Sequence, residues 1–448
     1  MTYQLTAVAL ILLLLSGCQS FSADDHREAI EQAQAQLPAW QSQNDSAQTA
    51  TELSQLLSDP QLDQLIAASQ AANPSLQQTL LSLQIAYAQQ QLTRGDRLPS
   101  VDLGLATSDG EDGSSNSAEL SVSWELDLWR KLADADSAAK MDLASNEASW
   151  QQAQDLLVAN VMRGYLNYAQ QQQLVVLEQQ RLQLLQSNEA VILERYRVGL
   201  GDLEALDNAK TSTATTQATI ALYQQQLANS IRTLQQLTGD SELSVAGTST
   251  YPHVSQPLAT LPIQDLSRRP DLQAAYFNTQ SAYYSSKVAY KSMLPSISLQ
   301  AALTDSANSM QDALFTSPAW SLLGQLTAPL YQGGQLKAQA EIAELESAQS
   351  YWAYREILLA AVLEVDEAID NERNLSAQIA HLDTAVRSAT RSSDSYLKKY
   401  RQGLVDIVDL LSVQQQQFDV ESQQIQATYN HLVNRIDLGL ALGLGVNQ

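Results

Sequence analysis

Four segments of the chain alternate between apolar and polar positions with a period of two. From Ser296, residues Ile297, Leu299, Ala301 and Leu303 fall on one face, opposite Ser298, Gln300 and Ala302. From Ser100, Val101, Leu103 and Leu105 oppose Asp102 and Gly104. Leu120, Val122, Trp124, Leu126 and Leu128 oppose Ser121, Ser123, Glu125 and Asp127, and the segment from Trp320 to Leu330 alternates less cleanly. This period predicts strands, paired as 100–107 with 119–128 and 296–304 with 320–330. Polar loops join each pair, Thr107 to Gly113 and Thr304 to Pro318, so both pairs read as hairpins.

Between the hairpins the period changes to that of helices. The first helix is expected over about 61–94 and its counterpart over about 270–291, each ending before Leu-Pro-Ser, where proline disfavours helix at the preceding residue. After each hairpin the chain runs with almost no breaker. No proline lies between Pro99 and Pro252 or after Pro329, and no glycine between Gly334 and Gly403. A helix from about Lys131 to Arg197 would be about 100 Å long at 1.5 Å per residue. Such a helix needs partners along its length, so antiparallel coiled-coil packing is expected through Leu, Ala and Val stripes. Gln-rich faces such as Gln170 to Gln173 and Gln414 to Gln417 would be hydrated without adding charge.

The chain is also internally duplicated. Asn73-Pro74-Ser75-Leu76-Gln77 returns as Arg269-Pro270-Asp271-Leu272-Gln273, and Leu98-Pro99-Ser100-Val101 as Leu294-Pro295-Ser296-Ile297, both 196 residues on. Tyr196-Arg197-Val198-Gly199-Leu200 returns as Tyr400-Arg401-Gln402-Gly403-Leu404, 204 residues on. The fold class is therefore mainly α with a small β part: two repeats, each of a helix, two strands, a very long helix, a sharp turn and another helix. At the turns, Gly199 and Gly403 suit the left-handed conformation that ends a helix, and Asp202 and Asp406 suit the cap of the next.

Strands of about nine residues match the length needed to cross a bilayer as tilted β, although soluble hairpins packed on helices share the pattern. Trp124, Trp129, Trp320 and Tyr331 lie near the strand ends, where an aromatic girdle would sit. Four strands cannot close a barrel, and open edges are not tolerated in hydrocarbon, so a membrane barrel would be shared between copies. Two copies give eight strands, too narrow for a water-filled lumen; three give twelve, and composition does not choose between three and four.

Charge narrows the partners. With 25 Lys and Arg against 49 Asp and Glu, the formal net charge of −24 argues against nucleic acid and for a solvated surface or an acidic duct wall. Cys18 is the only cysteine, so no intramolecular disulfide can form. It follows an apolar run from Thr6 to Leu15 of signal-peptide length. Leu15-Ser16-Gly17-Cys18 resembles a bacterial lipobox, which would leave Cys18 as a diacylated N-terminus, although Met1 to Gln4 lacks Lys and Arg. No phosphate loop is visible, and His26, His253, His381 and His431 have no metal-ligand spacing. No cofactor, metal site or catalytic constellation is expected.

Trp124-Glu125-Leu126-Asp127-Leu128-Trp129, Arg268-Arg269-Pro270-Asp271-Leu272 and Ala328-Pro329-Leu330-Tyr331-Gln332-Gly333-Gly334, in this order behind a lipobox, resemble the lipoprotein branch of the TolC-type outer membrane factors. The resemblance covers nearly the whole mature chain. It implies a signal peptide (1–17), a lipidated extended segment (18–60), a first repeat (61–250), a linker (251–267) and a second repeat (268–448). It implies a homotrimer with a twelve-stranded barrel in the outer membrane lipid and a helical tube in the periplasm. It also implies a periplasmic adaptor and an inner-membrane pump that supplies the energy.

By the same resemblance the turns at 198–202 and 402–406 are the periplasmic tips, where Val198, Gly199, Leu200, Gly403 and Leu404 would meet the adaptor. The resting tube would be pinched near them. A threefold axis turns each inward Asp into a ring of like charges, so Asp394, Asp406 and Asp409, with Arg391 and Arg401 as latches, are the gate candidates, and the second hairpin is expected to be the mobile one. Pro99, Pro295, Gly333 and Gly334 stand where helix must bend into barrel. The expected activity is passive efflux of small molecules. Protein secretion through the same kind of duct, and a non-conducting lipid-anchored scaffold, are the other readings.

Overall fold

The computed structural model describes residues 26–35, 52–110, 113–245, 251–254, 268–314 and 316–446. The signal peptide and Cys18 lie outside them. The first described element is helix α1 (Arg27–Ala35), followed by a 3₁₀ turn (Leu53–Leu56) and the short strand β1 (Leu57–Ser58). Within the segment expected to be extended over 18–60, residues 27–35 are helical. Helix α1 is nine residues long and buries Ile30 and Ala33, three apart, too brief a stripe for periodicity to announce. Strand β1 pairs with β4 (His253–Val254), a contact between residues nearly 200 apart.

The expected helix over 61–94 is two helices, α2 (Pro60–Ala72) and α3 (Pro74–Gly95). Pro74 removes the N–H that would continue the ladder and pushes Asn73 to an extended backbone. The Asn73 side chain then fixes the break: its Nδ2 donates to the Leu237 carbonyl at 2.8 Å and its Oδ1 accepts from Leu76 N–H at 3.0 Å.

Helices α4 (Lys131–Arg197), α5 (Leu203–Thr238), α8 (Gln335–Arg401) and α9 (Ile407–Ala441) are the long ones, with α6 (Pro270–Lys291) opening the second repeat. Both α4 and α8 contain 67 residues, about 100 Å of helix. Paired contacts run in opposite directions along α4 and α5, where the Thr213 hydroxyl donates to Glu189 at 2.7 Å, and along α8 and α9, where Asn434 donates to the Ala368 carbonyl at 2.9 Å. The coiled coils are antiparallel.

Strands β2 (Ser100–Gly110), β3 (Gly113–Leu126), β5 (Ser296–Ala307) and β6 (Ala319–Thr327) form one antiparallel sheet in the order β2-β3-β5-β6. A single helical turn, α7 (Met310–Ala313), interrupts the second loop. The first hairpin is longer than its apolar pattern. Thr107, Ser108 and Asp109 pair with Asn116, Ser115 and Ser114 through backbone bonds that need no apolar face. Two strands stop earlier than expected. Asp127 leaves β3 to cap α4, accepting from Leu132 and Ala133 N–H at 3.0 and 2.7 Å, and Pro329 offers β6 no donor.

Two compact units share the chain, and neither is a repeat. One gathers α1, 83–146 and 274–356; the other gathers the described parts of 37–82, 147–273 and 357–448. The first holds the sheet. The second is built on a core of Leu53, Leu57, Leu62, Tyr165, Leu166 and Ile436, drawn from both repeats.

Candidate functional site

The register sorts the side chains of the four strands onto two faces. One face carries the rungs Leu126–Ile297–Leu326, Trp124–Leu299–Gly324, Val101–Val122–Ala301–Leu322 and Leu103–Leu120–Leu303–Trp320. The other carries Glu125–Ser298–Gln325, Ser100–Ser123–Gln300–Leu323, Asp102–Ser121–Ala302–Ser321 and Gly104–Glu119–Thr304–Ala319. Ser100 and Ser123 hydroxyls meet at 2.8 Å on that polar face. The uneven pattern of the fourth strand resolves here, since Gly324 occupies an apolar rung and only Leu323 breaks the polar side. The apolar band covers Ile297 to Leu303, about 20 Å of strand, and ends at Asp305. Among the described residues β2 and β6 have no partner on their outer edges, and every residue of β6 is exposed.

Of the four aromatic candidates, Trp124 and Trp320 lie on rungs of the band, and Trp129 and Tyr331 lie beyond it. Trp124 and Trp129 stand at its helix end, their indole N–H groups donating to the carbonyls of Arg97 at 3.0 Å and Pro295 at 2.6 Å. Tyr331 is exposed on the same side, and Trp320 is 80 % exposed on the last apolar rung at the other.

The junctions repeat. Leu98 and Leu294, each before its proline, donate to Gly95 and Lys291 carbonyls at 2.9 and 3.0 Å. After the hairpins, Gly333 and Gly334 bend the chain at φ 60° and 84° with open space around both.

At the tips, Gly199 (φ 75°) and Gly403 (φ 72°) close matching turns. Leu200 N–H donates to Arg195 O at 2.8 Å and Leu404 N–H to Lys399 O at 2.9 Å, six-to-one bonds that satisfy the last carbonyls of α4 and α8. Asp202 accepts from Ala205 N–H at 2.7 Å and Asp406 from Asp409 N–H at 2.9 Å. Both turns belong to one packed end, joined by Ile192, Leu206, Ile407 and Leu410.

The gate candidates Asp394, Asp406, Asp409, Arg391 and Arg401 are all exposed, and none forms an ion pair within the described residues. Arg391 donates to the Ser388 hydroxyl at 3.3 Å. The single chain therefore brings none of these acid and base candidates together.

Polar links between distant elements went unread in the sequence. Helices α4 and α9 are joined along their length by Arg163–Asp437, Gln170–Gln426 at 2.7 Å, Arg181–Asp419 at 3.2 Å and Asn188–Gln414 at 3.0 Å. Buried Arg269 holds Asp271 at 2.7 Å, Glu364 at 2.8 Å and the Ala441 carbonyl at 3.2 Å, clasping α6, α8 and α9. Burial pulls the Arg269 guanidinium down, and Asp271 and Glu364 more than restore it. Glu372 takes His431 at 2.8 Å and Arg435 at 3.0 Å; burial raises its carboxyl, and these two partners carry it below the ordinary range. Beside Arg269 is a cavity of about 420 Å³ that also touches Arg163, Glu364, Glu367 and Asp437. No grouping of three or more metal-binding side chains occurs among the described residues.

The model of the outer membrane efflux protein family matches residues 65–240 and 261–444, both repeats. The chain belongs to that family. It is an outer-membrane efflux channel. The probable outer membrane lipoprotein SilC of Salmonella typhimurium is 26 % identical over 401 residues, 86 % of each chain. The cation efflux system protein CusC of Escherichia coli K12 is 27 % identical over 404 residues, 86 % of this chain and 87 % of its own. Among solved structures, the CmeC outer membrane channel of Campylobacter jejuni superimposes with a TM-score of 0.84 at 18 % identity, covering 96 % of this chain and 94 % of its own, a likeness of fold.

Proposed function

We propose that three copies of this chain close one twelve-stranded barrel and form a passive exit duct for small molecules. The observation that carries this reading is the four-stranded sheet with one apolar face, one polar face and two edges unpaired among the described residues. In hydrocarbon every unpaired backbone group costs several kcal/mol, so β6 of one copy must meet β2 of the next. Eight strands would leave a lumen filled by side chains, whereas twelve leave room for water. Exposed apolar stripes at helical spacing, Ile85 and Leu92 on α3 and Ile342, Leu345 and Trp352 on α8, suit the flanks of neighbouring copies.

Trp124, Trp129, Trp320 and Tyr331 supply the girdle of that barrel, and Pro99, Pro295, Gly333 and Gly334 its bends. Cys18 anchors the chain in the outer membrane lipid through the lipobox; the relative SilC is named a probable outer membrane lipoprotein. Val198, Gly199, Leu200, Gly403 and Leu404 dock a periplasmic adaptor, and an inner-membrane pump supplies the energy. Near these tips Asp394, Asp406 and Asp409 form rings about the threefold axis, with Arg391 and Arg401 as latches from copy to copy. The chain performs no reaction. Its cargo is set by the pump: five Met and four His give no lining suited to soft metal ions, although CusC carries cation efflux in its name.

Planar bilayers test the reading. The purified, lipidated protein is expected to give long-lived ion conductance, and a strain lacking it to accumulate a dye that its pump exports. Absence of conductance, with extraction of monomers by carbonate, would instead make the chain a tethered scaffold.

A further inference from the structure

The two tip turns present an apolar surface to solvent. Beyond the cluster of Ile192, Leu206, Ile407 and Leu410 that joins them, Val198, Leu200, Leu203, Leu404 and Val408 are all more than half exposed. Cations border this patch on one side. Arg195 and Arg197 lie in the last turn of α4, and Lys398, Lys399 and Arg401 in the last turn of α8. These are five of the 25 cations in a chain of net charge −24.

Compensation of the helix dipole does not account for them. Helices α2, α5 and α9 end with no basic residue in the last turn, and α3 and α6 with one each. A half-charge at a helix C-terminus calls for one cation, not three. Within the chain Arg197 has a distant partner in Glu194 at 3.7 Å, and Lys399 lies over the Tyr396 ring at 5.2 Å. Arg195, Lys398 and Arg401 form no ion pair among the described residues. Of the nearby carboxylates, Asp202 and Asp406 are held by backbone N–H groups, Glu204, Asp207 and Asp409 lie on the α5 and α9 side of the turns, and Asp394 lies on α8 one turn before Lys398.

We infer that the tip selects its partner by charge: it takes a helical hairpin with an apolar turn whose flanks carry carboxylates, seated against the ends of α4 and α8. This rests on the docking role proposed above for the tips. The apolar side chains supply contact that any such hairpin could use. The cations supply the choice, because matched potentials steer encounter and fix register, whereas like charges brought together are strongly disfavoured. Charge on both long helices also gives each tip two points of attachment, which orients the incoming hairpin.

The test uses the full-length protein in detergent and three designed helical hairpins. They share one Leu-containing turn, carry Glu, Gln or Lys at the flanking positions, and are displayed in three copies on a trimeric coiled coil so that avidity raises weak binding. The Glu form is expected to bind about tenfold tighter than the Gln form at about 50 mM salt, with the advantage lost at about 500 mM, and the Lys form weakest. Lys398→Glu/Lys399→Glu should invert the order. If all three bind alike, or the double variant leaves the order unchanged, while Leu200→Asp/Leu404→Asp abolishes binding, the tip docks but charge selection is overturned. If Leu200→Asp/Leu404→Asp changes nothing, or no hairpin binds, the docking role fails as well.

Discussion

Arg130 and Gly334 occupy the same place in the two repeats, one residue before helices of equal length, and both have a left-handed backbone, at φ 60° and 84°. The turn from sheet to long helix demands that conformation twice, but only the second repeat fills it with glycine. At Arg130 the cost is carried by a local network. Its N–H donates to Asp127 O at 3.2 Å, its carbonyl accepts from Asp134 N–H at 3.0 Å, and Asp127 caps the helix beyond.

Arg130→Gly should therefore melt within a few degrees of the parent, because relief of strain and added unfolded-state entropy nearly cancel at about 1 kcal/mol each. Arg130→Val should be markedly less stable, since a β-branched residue tolerates positive φ poorly. Thermal melts of both variants check the pair.

Gly333→Val should impair assembly. The position lies at φ 60° in open space, so the penalty comes from the backbone and not from a clash. The yield of assembled protein should fall, while efflux per assembled duct stays near the parent's. Normal yield with lost efflux would reject the bend as its role.

Arg269→Lys should destabilise nearly as much as Arg269→Ala, by about 3 kcal/mol, because one ammonium cannot hold Asp271 through two nitrogens and still reach Glu364 and the Ala441 carbonyl. Denaturant melts compare the two.

Asp155→Asn should make the protein less sensitive to pH. Burial holds the Asp155 carboxyl above its ordinary value, against hydrogen bonds from Val446 N–H and Gln151. A raised carboxyl favours the folded state while protonated and loses that advantage as pH climbs past its ordinary value through the raised one. The parent should lose stability over that interval, and the Asn variant, which keeps the Oδ1 acceptor, should not. Melting temperatures from about pH 4 to pH 7 record the difference.

Local rules account for most of what was readable. Prolines 99 and 295 marked both strand starts, and the lack of breakers after Lys131 and Gln335 announced α4 and α8. Period two located the apolar face, and it stopped short of Gly110 because Ser108 and Asp109 pair with β3 without presenting apolar side chains. The unread parts join residues far apart in sequence. Gln170 meets Gln426, Arg269 meets Glu364, and β1 meets β4, and no spacing along the chain records such pairings. Repeats that look like domains are interleaved for the same reason, since each compact unit takes helices from both. The gate candidates Asp394 and Arg391 form no ion pair among the described residues.

The most direct measurement is the native mass of the detergent-extracted, full-length protein. An assembly of three chains is expected, the number that brings four strands per chain to a closed twelve-stranded barrel. A folded monomer, or a stable assembly of two or four chains, would contradict it.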